Sequence, residues 1–103
     1  MSTDSIPDTN GAAVINLRST LRIGDVAEFK QEADALLARE PGKPVVCDAS
    51  VIEFIDAAAL QLLVAMAHAC AGQQRAFAIG APSAAFLSAA TVSGYAAPLG
   101  LAH

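Results

Sequence analysis

Short apolar runs alternating with longer segments of helical period predict an α/β fold: a small mixed sheet of four or five strands packed with three or four α-helices. Three observations carry this. Ala13 to Leu17 and Val45-Val46-Cys47 are brief runs containing β-branched residues, as strands require. Between them, residues Val26, Phe29, Ala33, Leu36 and Leu37 recur at helical spacing. Beyond them, Ala57 to Ala71 is a long run of strong helix formers. Strand, strand, helix, strand, helix, strand, helix is the order of an α/β domain whose later strands run parallel through right-handed crossovers. With 103 residues, 54% of them hydrophobic and 16% charged, the chain has material for one self-sufficient core.

The elements follow in order. Residues 1–12 are rich in Ser, Thr, Asp, Asn and Pro with no apolar period and read as a loose tail, so the domain is expected over 13–103. Ala13 to Leu17 reads as a first strand. Thr20 to Ile23 reads as its neighbour, the two joined tightly around Arg18 and Ser19. Gly24 breaks that strand, and Asp25 with Glu28 three residues later has the pattern of a capping box opening the first helix. Glu28, Lys30, Gln31, Glu32 and Asp34 fill its polar side. Pro41, Gly42 and Pro44 end it, and the continuous run Val45-Val46-Cys47 suits a covered central strand. Val51 to Ile55 reads as an apolar connection. The helix from Ala57, apolar nearly all round, is expected to be deeply buried and to stop at Gly72. Arg75 to Ile79 makes another strand, Pro82-Ser83 opens a third helix carrying Phe86, Leu87 and Ala90, and Gly94 ends it. Tyr95 to Leu101 is expected to pack as a short turn or helical fragment. No internal repeat is visible.

Composition excludes several functions. A net charge of −4 without a basic stripe argues against nucleic-acid binding. The apolar stretch Leu60 to Ala71 is interrupted by Gln61 and His68 and is short of the ~20 residues a bilayer core takes. The N-terminus lacks the basic-then-apolar pattern of an export signal, so a soluble cytoplasmic protein without membrane insertion is expected. Cys47 and Cys70 form no Cys-x-x-Cys pair and read as buried free thiols; His68 points to a different side of the helix from Cys70, so neither metal nor cofactor is expected. Catalysis would need groups held in one pocket. Asp48 and Asp56 are conceivable paired carboxylates and His68 a base, but His68 lies three turns along the helix, roughly 15 Å from its start. No Gly-rich phosphate loop is present.

The segment that carries a functional reading is Asp56-Ala57-Ala58-Ala59-Leu60, at the carboxyl side of the sheet and the start of a helix, where α/β folds dock ligands and partners. An acidic residue there suits the helix dipole and can accept first-turn amide hydrogens, which gives Asp56 a structural role as a cap. Small side chains at Ala57, Ala58 and Ala59 would leave a low apolar platform beside it. The same alanines also serve helix propensity and tight packing, a reading of equal weight for Ala58 and Ala59.

Val45-Val46-Cys47-Asp48-Ala49-Ser50-Val51-Ile52-Glu53-Phe54-Ile55-Asp56-Ala57-Ala58-Ala59-Leu60 resembles the strand, loop and helix start of the STAS domains, the family of sulfate transporter tails and anti-sigma factor antagonists. Leu21 to Val26 is similar to the family's second strand leading into its first helix, and the resemblance extends over most of Val14 to Leu101. It implies the STAS fold. It also implies a non-catalytic protein-interaction module of signal transduction and transcription regulation, whose partner is a serine kinase of the anti-sigma type or a related signalling protein. Partner contact is expected at Ser50, Asp56, Ala57, Ala58, Ala59 and Leu60. In switchable members the hydroxyl residue directly after the Asp receives phosphate; here that position is Ala57, whose methyl group cannot accept it. Constitutive binding, control moved to another residue or to the partner, and an Ala replacement in a switchable protein remain open. Ser50 and Ser83 are the nearby hydroxyls, each more economically a turn or cap residue. Similar STAS proteins accompany chemotaxis machinery or serve phospholipid-transporting ABC complexes, and a small enzyme is the alternative of another class.

Overall fold

The computed structural model describes residues 11–101. Among the described residues there are five strands and three α-helices: β1 (Ala13–Asn16), β2 (Thr20–Leu21), α1 (Val26–Arg39), β3 (Val45–Asp48), β4 (Phe54–Ile55), α2 (Ala57–Gly72), β5 (Phe77–Gly80) and α3 (Ala84–Val92). The tail assigned to residues 1–12 lies outside the described residues up to position 10.

The strands form two pieces, and every pairing among the described residues is parallel rather than mixed. One piece has the order β1-β3-β5, the other pairs β2 with β4. β1 and β2 are therefore not partners, contrary to the sequence reading. The Leu17–Ser19 link does not reverse the chain, so β1 and β2 run on as one path beside β3 and β4. Leu17 N–H donates to the Asp48 carbonyl (3.0 Å), and Glu53 and Phe54 N–H both donate to the Ser19 carbonyl (2.7 and 3.1 Å). β3 and β4 are separated by the longer loop 49–53, which bulges from the end of the sheet. The sequence shows this loop as one apolar connection because a two-residue β4 is too short to display alternation.

α1 turns its Phe29–Ala33 stripe inward, with Val26, Leu36 and Leu37 half-buried around it. It packs on β1 and α2. Asp25 does not cap it. Its carboxylate instead accepts from the Arg22 N–H (2.9 Å), closing a 3-10 turn over Ile23–Asp25 that lies between β2 and α1. α2 buries Ala59, Leu60, Leu63, Met66 and Cys70. It is not buried all round: Ala57, Gln61, Ala65 and His68 face water, since a helix laid on one side of a sheet keeps an outer face and alanine incurs little cost there. β3, paired on both sides, supplies Val45, Val46 and Cys47 to the core.

Arg75 precedes β5 rather than opening it. It is the buried charged residue of the core, and its guanidinium donates to the carbonyls of Lys43 (2.9 Å) and Glu40 (2.7 Å), with Leu37 at 3.5 Å. These include orphan carbonyls of the α1 C-terminus, so Arg75 ties that end to the sheet. After α3, Gly94 adopts φ +81° to stop the helix, and a hydrogen-bonded turn through Leu101 places Leu99 in the core.

Candidate functional site

The 3-10 turn, the 49–53 loop, β4 and the N-termini of α2 and α3 meet at the carboxyl ends of the strands, and Asp56 joins two of them. Its Oδ1 accepts the Ala59 N–H (3.0 Å), capping α2. Its Oδ2 accepts the Ile23 N–H (2.8 Å), holding the 3-10 turn against the helix mouth. Both carboxylate oxygens are thus engaged within the chain.

The loop on the other side is fixed in the same manner. The Ser83 hydroxyl accepts from Phe86 N–H (3.1 Å) as the α3 cap and donates to the Ile52 carbonyl (2.7 Å), while Ser83 N–H donates to Ala49 (3.1 Å). Ser50 is exposed at the turn after β3, and its N–H donates to Asp48 Oδ1 (2.9 Å). Hydrogen bonds from the Ser50 hydroxyl and amide hold the Asp48 carboxyl below the usual range, so it stays ionised.

The residues expected to meet a partner separate by exposure. Ser50 and Ala57 are exposed; Asp56 and Ala58 are half-buried. Ala59 and Leu60 are fully buried, because positions three and four residues after the cap turn toward the sheet, so neither presents surface to another molecule. The accessible part of the segment is therefore Ser50, Asp56, Ala57 and Ala58.

Around it lie large apolar side chains that the sequence did not single out. Ile23 is 71% exposed, Val51 55%, Phe54 44% and Leu87 38%. Ile23 is tethered to Asp56, Phe54 stands two residues before it, and Val51 flanks the Ile52 carbonyl that Ser83 grips. Leu87 lies one turn into α3, which packs beside β4. Of the residues expected on this helix, Phe86 and Ala90 are buried and Leu87 faces outward. The Arg22 guanidinium lies 4.5 Å from the centre of the Phe54 ring, a cation–π contact that keeps the ring at the surface. No local signal marked them, because Val51 and Phe54 are as apolar as the buried Ile52 and Ile55 and the exposed pair Glu53-Phe54 breaks any alternation.

Elsewhere the titratable groups lie apart. Cys47 and Cys70 are free and buried, and burial, with a lesser contribution from Cys70, pushes the Cys47 thiol up to about 12. No group of three or more His, Cys, Asp or Glu able to hold a metal occurs among the described residues. His68 is exposed on α2, away from Asp48 and Asp56 at its mouth. A cleft of about 420 Å³ lies between the C-terminal halves of α1 and α2, lined by Met66, Cys70 and Arg75 among others, at the opposite end from Asp56. No described helix is long and apolar enough to cross a membrane.

A parallel sheet with helices packed on it, a capped helix mouth and exposed apolar side chains near its strand ends make this a small α/β domain. The sequence model of the family described as Mlab, STAS domain, matches residues 6–101, and the chain belongs to the STAS domain family. No curated protein and no solved structure matches it.

Proposed function

We propose that this STAS domain is a non-catalytic docking module of the cytoplasm, of the anti-sigma factor antagonist type. In this reading it binds a regulatory kinase or related signalling protein through the α2 mouth and its apolar rim. The observation that carries the reading is the exposure of Ile23, tethered to Asp56, and of Phe54, two residues before it, with Val51 on the adjoining loop and Leu87 on α3, which packs beside β4: four of the five exposed large hydrophobics of the described chain. Burying such side chains against a partner supplies association energy that isolated polar surface does not. Asp56 serves by positioning: it fixes Ile23 and the helix start rather than offering a free carboxylate. Ala57, exposed at the first position of α2, gives close approach and no oxygen for phosphorylation, so docking here is constitutive at this position.

The test is retention of native partners by the immobilised chain. Ala57→Glu places a charge in the contact, and Phe54→Ala removes an anchor. Each is expected to reduce retention at least about tenfold, a loss of about 1.4 kcal/mol, with folding intact. Equal retention by both variants contradicts the reading.

The matched model's description as Mlab, rather than as an anti-sigma factor antagonist, favours a second reading in which the same face docks on a phospholipid-transporting ABC complex. Identification of the retained protein as a kinase, a chemotaxis protein or a transporter ATPase separates these.

A further inference from the structure

We infer that the partner presents a lysine or arginine beside the apolar side chain that seats on the Ile23–Phe54 rim; the inference rests on the docking reading and specifies its partner's chemistry. From Pro44 to Gln74 the chain contains no Lys or Arg, yet this stretch holds Asp48, which closes β3, Glu53, in the loop just before β4, and Asp56, just after β4. With Asp25 on the neighbouring 3-10 turn, the rim carries four carboxylates against the one guanidinium of Arg22.

Three of these charges have local roles. Asp25 accepts from Arg22 N–H, Asp48 from Ser50 N–H and Asp56 from Ala59 and Ile23 N–H. Glu53 differs. Its backbone is pinned to Ser19, it is exposed, and its side chain has no ion pair among the described residues. It lies directly between exposed Phe54 and the Val51 loop. An apolar side chain docking on Phe54 therefore brings its neighbours within reach of an unpaired carboxylate. A cation there gains a partner, whereas an anion meets net negative charge that the α2 dipole offsets only in part. The rim selects against acidic and phosphorylated surfaces for the same reason.

Two short blocked peptides, Ac-Lys-Leu-Lys-NH2 and Ac-Glu-Leu-Glu-NH2, test this by titration into the 15N-labelled full chain at low salt. The lysine peptide is expected to shift the amides of Ile23, Val51, Glu53 and Phe54 with an affinity at least about threefold above that of the glutamate peptide. Glu53→Gln should remove that difference, while Phe54→Ala should weaken both peptides. Equal shifts at the rim by both peptides overturn the charge preference and leave the docking reading standing. Shifts by the lysine peptide confined to the outer face of α1, where Glu28, Glu32 and Asp34 lie, overturn the inference. Rim shifts by neither peptide count against both.

Discussion

At the residue scale, Asp56 accepts two backbone hydrogen bonds, one from its own helix at Ala59 and one from Ile23 across the fold. Its position before an apolar helical run marks it as a cap, and the cap is present. Its second bond, to Ile23, spans a separation of 33 residues and appears only once β2 and β4 are paired. Asp56→Ala is expected to cost about 1–2 kcal/mol in urea denaturation, from the cap and the lost tether together. It should also release the Ile23 amide to hydrogen exchange. Unaltered exchange at Ile23 would deny Asp56 its positioning role. Asp48 gives a pH-linked expectation. Its folded carboxyl is held below the usual range by Ser50, so its contribution to stability is complete above the unfolded value and is lost as pH falls through the folded one. Ser50→Ala should move the Asp48 titration, followed by its carboxyl 13C shift, upward toward the ordinary range. The exposure of Ala57 and the burial of Ala59 and Leu60 were not separable in a run of identical alanines, since their facing depends on where the helix begins.

At the scale of elements, helices were legible and short strands were not. α1, α2 and α3 each span several turns, enough for period and punctuation to accumulate, and Gly72, Ser83 and Gly94 mark their ends closely. β2 and β4 have two residues each, and their parallel pairing depends on a crossover no local pattern encodes. The facing of α2, apolar nearly all round, is hard to read because alanine is neutral to it; its solvent side includes Ala57, Gln61, Ala65 and His68. Two substitutions separate its faces. Leu63→Ala, in the fully buried stripe, is expected to cost about 2–5 kcal/mol by calorimetry or urea melts. Ala57→Glu at the exposed first turn should leave stability within about 0.5 kcal/mol or raise it slightly, an acid at a helix N-terminus being favourable. A large destabilisation by Ala57→Glu would show that this position packs rather than docks.

For the whole molecule, the sheet places stability and function at different depths. β3 is hydrogen-bonded on both sides and contributes Val45, Val46 and Cys47 to the core, whereas the 3-10 turn and the 49–53 loop are held by scattered caps and tethers rather than by a strand ladder. Amide exchange is therefore expected to be slowest in β3 and faster by orders of magnitude at residues 22–24 and 50–53. Charge is divided as well. Beyond Arg75 the described chain carries no Asp, Glu, Lys or Arg, so its charges all come from the first three-quarters of the sequence. That division is visible in the sequence, but its meaning is not, because the exposed apolar side chains Ile23, Val51, Phe54 and Leu87 come from three elements that only folding joins through Asp56 and Ser83.

The central claim is that the α2 mouth and its rim form the contact face. Hydrogen-exchange mapping of the chain alone and in complex with the protein it retains tests this most directly. The account predicts new protection at residues 22–24, 50–57 and the first turn of α3, with the outer face of α1 unchanged. Protection confined to α1 or to the cleft between the C-terminal halves of α1 and α2, with the mouth exchanging as in the free chain, would contradict it.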